Sequence, residues 1–154
     1  MTHHALQTYR LQSALTVSSA RQVALLYDRT ISSLKEAIHA IEASDIERRC
    51  TANRRAMEII GQLAMALDCE TGGEIAANLD RLYRFMLLQL PTVDIANDPQ
   101  PARDVIALIE PLRRSWHELA DRLAAEARES EQAGLAPALA GSAEGSAGRV
   151  SVSA

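Results

Sequence analysis

The feature that most restricts this chain is a rhythm. In four separate stretches, apolar residues recur at steps of four and three. The first carries Tyr27, Ile31, Leu34, Ile38 and Ile41. The second carries Ile46, Cys50, Met57, Ile60, Ala64 and Leu67, and the third Ile75, Leu79, Leu82, Tyr83, Met86 and Leu90. The fourth carries Val105, Ile109, Leu112, Trp116, Leu119 and Leu123. Such steps keep side chains on one stripe of an α-helix. No stretch alternates convincingly with the period of two that a half-buried strand shows. Each stripe needs another surface to cover it. Four amphipathic helices joined by short loops therefore predict an all-α fold, an antiparallel up-down four-helix bundle. A chain of 154 residues, 47% apolar and 23% charged, suits one ordinary globular domain.

Local signals divide the chain. Ser18, after "TVSS", is expected to cap the first helix, which leaves residues 1–17 as a flexible N-terminal segment and residues 18–130 as the bundle. Asp45 is expected to cap the second helix. Asn53 interrupts the second stripe and is expected at the helix edge, because an isolated buried amide is costly. Thr71 and Glu74 have the spacing of a capping box around Gly72 and Gly73, and glycine suits the tight reversal there. Pro91 predicts the end or a bend of the third helix, "PTVDIANDPQP" a connector, and Pro111 a kink in the fourth. Residues 131–154 hold too few large apolar groups to offset the entropy of ordering, so a disordered tail is expected.

Most chemistry is disfavoured by what is missing. A net charge of -4 and 3% aromatic residues argue against nucleic acid as a partner. The start "MTHHALQTYR" lacks the apolar centre of a signal peptide, and no apolar run approaches the ~20 residues of a membrane span. A cytoplasmic protein with no membrane insertion is expected. Cys50 and Cys69 show no metal-ligand spacing and read as reduced thiols. A di-metal bundle site needs two Glu-x-x-His pairs. Only Glu36–His39 has that spacing, and the residue three before His117 is Arg114. No phosphate loop, dinucleotide fingerprint or nucleophile elbow occurs. The expectation is a protein that is not an enzyme, with no catalytic residue, no metal and no cofactor. Binding is what remains. The third helix carries Phe85, Leu87 and Leu88 beyond its stripe, and the first adds Val23, Ala24, Leu25 and Leu26. The surplus reads either as a fuller core or as a second buried surface, such as a groove for a partner helix. The pattern alone leaves both open.

Three strings, in order and over roughly residues 5 to 125, resemble one family. "LTVSSARQVALLYDRTISSLKEAIHAIEASD", "LDCETGGEIAANLDRLYRFMLLQL" and "LIEPLRRSWHEL" are similar to the signatures of the flagellar secretion chaperones, the FliS family. The most specific part is Gly-Gly-Glu-Ile-Ala-x-Asn-Leu-x-x-Leu-Tyr. Ser19 stands where the family usually has proline, Arg29 replaces a glycine after Tyr27-Asp28, and Leu6 takes the place of a tyrosine. The resemblance implies a helical-bundle export chaperone without enzymatic activity. Such a chaperone binds the C-terminal segment of flagellin in the cytoplasm and prevents its premature polymerisation before type III secretion. It also implies partner-binding positions at Tyr9, Tyr27, Asp28, Ile31, Ile75, Asn78, Leu79, Leu82, Tyr83, Met86, Leu112 and Trp116. Leu6 and Tyr9 are expected to plug the groove in the unbound protein. The alternative implied role is a regulatory adaptor of flagellar export, whose partner is an anti-sigma factor or a component of the export gate.

Overall fold

The computed structural model describes residues 3–142. The chain forms α1 (His3–Glu42), α2 (Ile46–Met65), α3 (Gly73–Gln89), the short α4 (Pro91–Ala96) and α5 (Gln100–Ser142), with no strand among the described residues. The stripes meet as expected. α1 packs against α2 and α5, α3 packs against α2, and α4 touches α2, α3 and α5. The core draws Tyr27 and Leu34 from α1, Ile60 and Leu63 from α2, and Tyr83 and Met86 from α3. Val93 of α4 and Val105 and Ile109 of α5 complete it. The architecture is the all-α antiparallel bundle that the periodicity demands.

Several boundaries fall elsewhere than expected. α1 begins at His3, so Ser18 lies inside the helix and residues 3–17 continue it. The hydroxyls that read as a stop are satisfied within the helix: Thr16 Oγ1 donates to the Gln12 carbonyl at 2.9 Å and Ser19 Oγ to the Leu15 carbonyl at 3.0 Å. This bonding one turn back removes their competition with the backbone. α5 runs continuously through Pro111 and on past Glu131 to Ser142; the remainder of the expected tail, residues 143–154, lies outside the described residues. The connector contains α4, with Pro91 in its first turn, where a missing N–H costs nothing. Asn97 ends α4 in the left-handed conformation, φ 52°.

Asn53 is fully buried rather than at the helix edge. Its Nδ2 donates to the Leu90 carbonyl at 2.9 Å and to Asp94 Oδ2 at 2.7 Å. The neighbouring Arg49 donates to Asp94 Oδ1 at 3.1 Å and to the Asn97 side chain. The desolvation of this amide is thus offset by partners on the α3–α4 corner, and the cluster ties that corner to α2. The expected capping box does not form either. Gly72 has no side-chain cap, and the Thr71 hydroxyl donates to Asp68, which also accepts from the Glu70 and Thr71 amides. Both glycines are nonetheless required. Gly73 sits at φ +55°, and a Cβ on Gly72 would lie 2.5 Å from the Ala76 Cβ and 2.6 Å from the Asp68 carbonyl. Asp45 caps α2 as expected, accepting from the Arg48 amide at 3.0 Å.

Helix lengths set the outline. α1 has 40 residues and α2 has 20, which at 1.5 Å per residue is roughly 60 Å against 30 Å. α2 therefore covers about half of α1. The other half runs beside the C-terminal half of α5 as a two-helix arm, joined by Arg21–Asp121 at 2.7 Å and by Arg10 lying against Gly134.

Candidate functional site: the α3–α5 edge

α3 is held by α2 and α4, and α5 by α1 and α4. The edge between α3 and α5 is thus the one that helix packing leaves unclosed among the described residues. What lines it follows from the turn of each helix. On α3, Asp80, Arg84 and Leu87 face the groove shared with α2. At 100° per residue, Ile75, Asn78, Leu82 and Phe85 fall on the opposite flank. On α5, Arg113 and His117 reach Asp28 of α1, and Leu108, Leu112 and Leu119 fall on the flank away from it. Two apolar flanks therefore border one edge. Ile75 and Phe85 are exposed, and Leu79, Leu82, Leu108, Leu112, Trp116 and Leu119 are half-buried.

Beneath the edge lies a polar contact. The hydroxyls of Tyr27 and Tyr83 hydrogen-bond to each other between α1 and α3, and both residues are buried. Burial pushes the Tyr27 pKa up, its hydrogen bond with Tyr83 pushes the same way, and a hydrogen bond with Trp116 acts in the opposite sense. Burial likewise raises that of Tyr83. A buried hydroxyl without a partner is costly, so the pair fixes the register of α1 against α3.

The sequence-derived positions divide into three sets. Tyr27, Ile31, Tyr83 and Met86 are core residues. They form the floor of the edge and present no face of their own, because the helical period marks a stripe without saying what covers it. Ile75, Asn78, Leu79, Leu82, Leu112 and Trp116 come together along the edge and reach solvent. Asp28 and Tyr9 stand apart. Burial raises the Asp28 pKa, but hydrogen bonds and charge from Arg113 and His117 outweigh it and hold the carboxyl below its ordinary value. That carboxylate is engaged in tying α1 to α5, with His117 Nε2 at 3.0 Å. Tyr9 is exposed on the arm, beside Leu123 and Ala127 of α5. Its segment extends α1 rather than folding back over α3, and the side chain of Leu6 lies outside the described residues. Sequence reasoning did not single out Leu108 and Leu119 as edge residues. The signal that finds them is the flank opposite Arg113 and His117.

A second opening lies between α2 and α3. It is a mostly apolar groove of about 620 Å³ lined by Gly61, Ala64, Met65 and Leu87, with Glu58, Asp80 and Arg84 at its rim. Among the described residues, no three His, Cys, Asp or Glu side chains are grouped to hold a metal ion. No described helix is long and apolar enough to cross a membrane.

Residues 1–123 match a family model described as flagellar protein FliS. The match takes in both sides of the α3–α5 edge. The chain is 36% identical over 96 residues to the flagellar secretion chaperone FliSB of Pseudomonas aeruginosa, which covers 62% of this chain and 76% of that protein. It is 32% identical over 119 residues to the flagellar secretion chaperone FliS of Vibrio cholerae, covering 75% and 88%. It is also 32% identical over 114 residues to that of Salmonella typhimurium, covering 73% and 84%.

Proposed function

Because the chain belongs to the FliS family of flagellar secretion chaperones, we propose that it binds the C-terminal segment of flagellin in the cytoplasm, along the α3–α5 edge. The observation that carries this reading is the pair of apolar flanks left uncovered there, with Ile75 76% exposed and Phe85 47% exposed. Large apolar side chains in two parallel rows suit an amphipathic helix laid between them. Covering them contributes ~25 cal/mol per Å² of apolar area, less the cost of ordering the incoming segment. A flagellin segment masked in this way is unavailable to other flagellins, and no covalent chemistry is needed, so the protein acts as a chaperone and not as an enzyme. A noncovalent contact spread over many side chains can also be given up piece by piece when the cargo is passed to the export gate.

The test is charge on the rim. Leu82→Glu and Phe85→Glu are expected to weaken binding of a flagellin C-terminal peptide by tenfold or more, about 1.4 kcal/mol, while leaving the melting temperature within about 3 °C of the parent. Unchanged affinity in both variants refutes the placement. Loss of folding in both makes these residues core and refutes it equally.

A further inference from the structure

The outward flank of α1 carries a feature that the chaperone reading does not use. Leu11, Ala14, Leu15, Ser18, Gln22 and Leu25 are all exposed, the leucines by 64%, 60% and 46% in chain order. At 100° per residue these six fall within an arc of about 100°, opposite the buried Ala20, Ala24 and Tyr27. The stripe bears no charge. Between residues 11 and 26 the only charged side chain is Arg21, and it is turned to Asp121 of α5 at 2.7 Å. Four turns of exposed, uncharged helix are unusual in a chain with 23% charged residues, and loss of charge marks the centre of an interface.

The order of residues within the stripe indicates the partner. It is symmetric about Ser18: Leu11 lies seven residues before it and Leu25 seven after, with Ala14 four before and Gln22 four after. An antiparallel copy of the same helix, related by a two-fold axis at Ser18, sets Leu11 against Leu25 of the other copy twice over. It also sets Ala14 against Gln22 twice. The small Ser18 meets itself on the axis, where a larger side chain would hold the helices apart. A two-fold contact is self-complementary by construction, and a foreign helix has no use for that symmetry. We propose that this flank of α1 is a homodimer interface, formed by two antiparallel α1 helices crossing at Ser18. One helix pair buries less than the ~800 Å² per partner of a standard interface, so the dimer is weak and forms with rising concentration. It lies on the opposite side of α1 from the core and does not depend on cargo binding.

Sedimentation equilibrium of the full chain over a wide concentration range tests this. The parent protein is expected to move from the monomer mass toward twice that mass. L11E and L25K, each made alone, are expected to weaken the dimer by about tenfold or more. The double variant L11E/L25K sets opposite charges across each Leu11–Leu25 contact and is expected to restore it. A monomer at every concentration overturns the proposal. So does a dimer that L11E leaves unchanged, or one that the double variant fails to recover. A dimer lost on Leu82→Glu but kept in L11E assigns self-association to the α3–α5 edge instead and also overturns it.

Discussion

Around Tyr27, α1 is enclosed by α2, α3 and α5; around Ser13 it has α5 beside it and little else. In the enclosed half Tyr27, Leu34, Ile60, Met86 and Ile109 are fully buried. In the arm Tyr9, Leu11, Leu15 and Leu135 are exposed. There a space of about 260 Å³ remains between the two helices, lined by Tyr9, Ser13, Val17, Leu123, Ala127 and Ser130 among others. The same two helices make both halves. Their difference is the number of neighbours, and it teaches that helix formation and burial are separate questions: the first follows from local sequence, the second from what else the chain can bring alongside.

The largest expected effect tests that contrast directly. Met86→Ala should cost ~2–5 kcal/mol in chemical denaturation, because it empties a filled site. Leu123→Ala in the arm should cost about 1 kcal/mol, because its surroundings are already open and partly wet. Equal losses would mean that the arm is as well packed as the bundle. The corner that lets α3 turn back along α2 comes next. Gly73→Ala should cost ~1–2 kcal/mol through its positive φ. Gly72→Ala should cost a similar amount, by pressing a methyl group on Ala76 and on the Asp68 carbonyl. Changes below about 0.5 kcal/mol at both positions would show that the corner relaxes freely.

The smallest effect lies where arm and bundle join. Arg113 and His117 hold the Asp28 pKa below its ordinary value, so folding favours the carboxylate. Its contribution is present above the unfolded value of ~4 and is lost as pH falls through the lower folded value. Asp28→Asn should therefore lower stability at pH 7 by about 1 kcal/mol or less, given partial solvent screening. The gap between variant and parent should close in acid. A gap that persists at low pH would mean that shape, not charge, joins α1 to α5 here.

Much of this was legible in the sequence, and the failures share a cause. The four stripes gave the helices, and the Gly72–Gly73 pair marked the corner. Ser18 misled because a hydroxyl that caps a helix and one that bonds back to the preceding turn look alike in sequence. Thr71 misled in the same way, since Asp68 competes for it. Asn53 could not be placed because its partners, Leu90 and Asp94, are distant in sequence. For the site, periodicity marked Tyr27, Ile31, Tyr83 and Met86 as strongly as Leu79, Leu82 and Leu112. Only the packing of neighbours distinguishes a core stripe from a docking flank.

The measurement closest to the central claim is a calorimetric titration of the full chain with a flagellin C-terminal segment, repeated at several temperatures. The account predicts saturable one-to-one binding with a negative heat-capacity change, the mark of apolar burial, and its loss in Leu82→Glu. Absence of binding, or binding indifferent to that substitution, would contradict it.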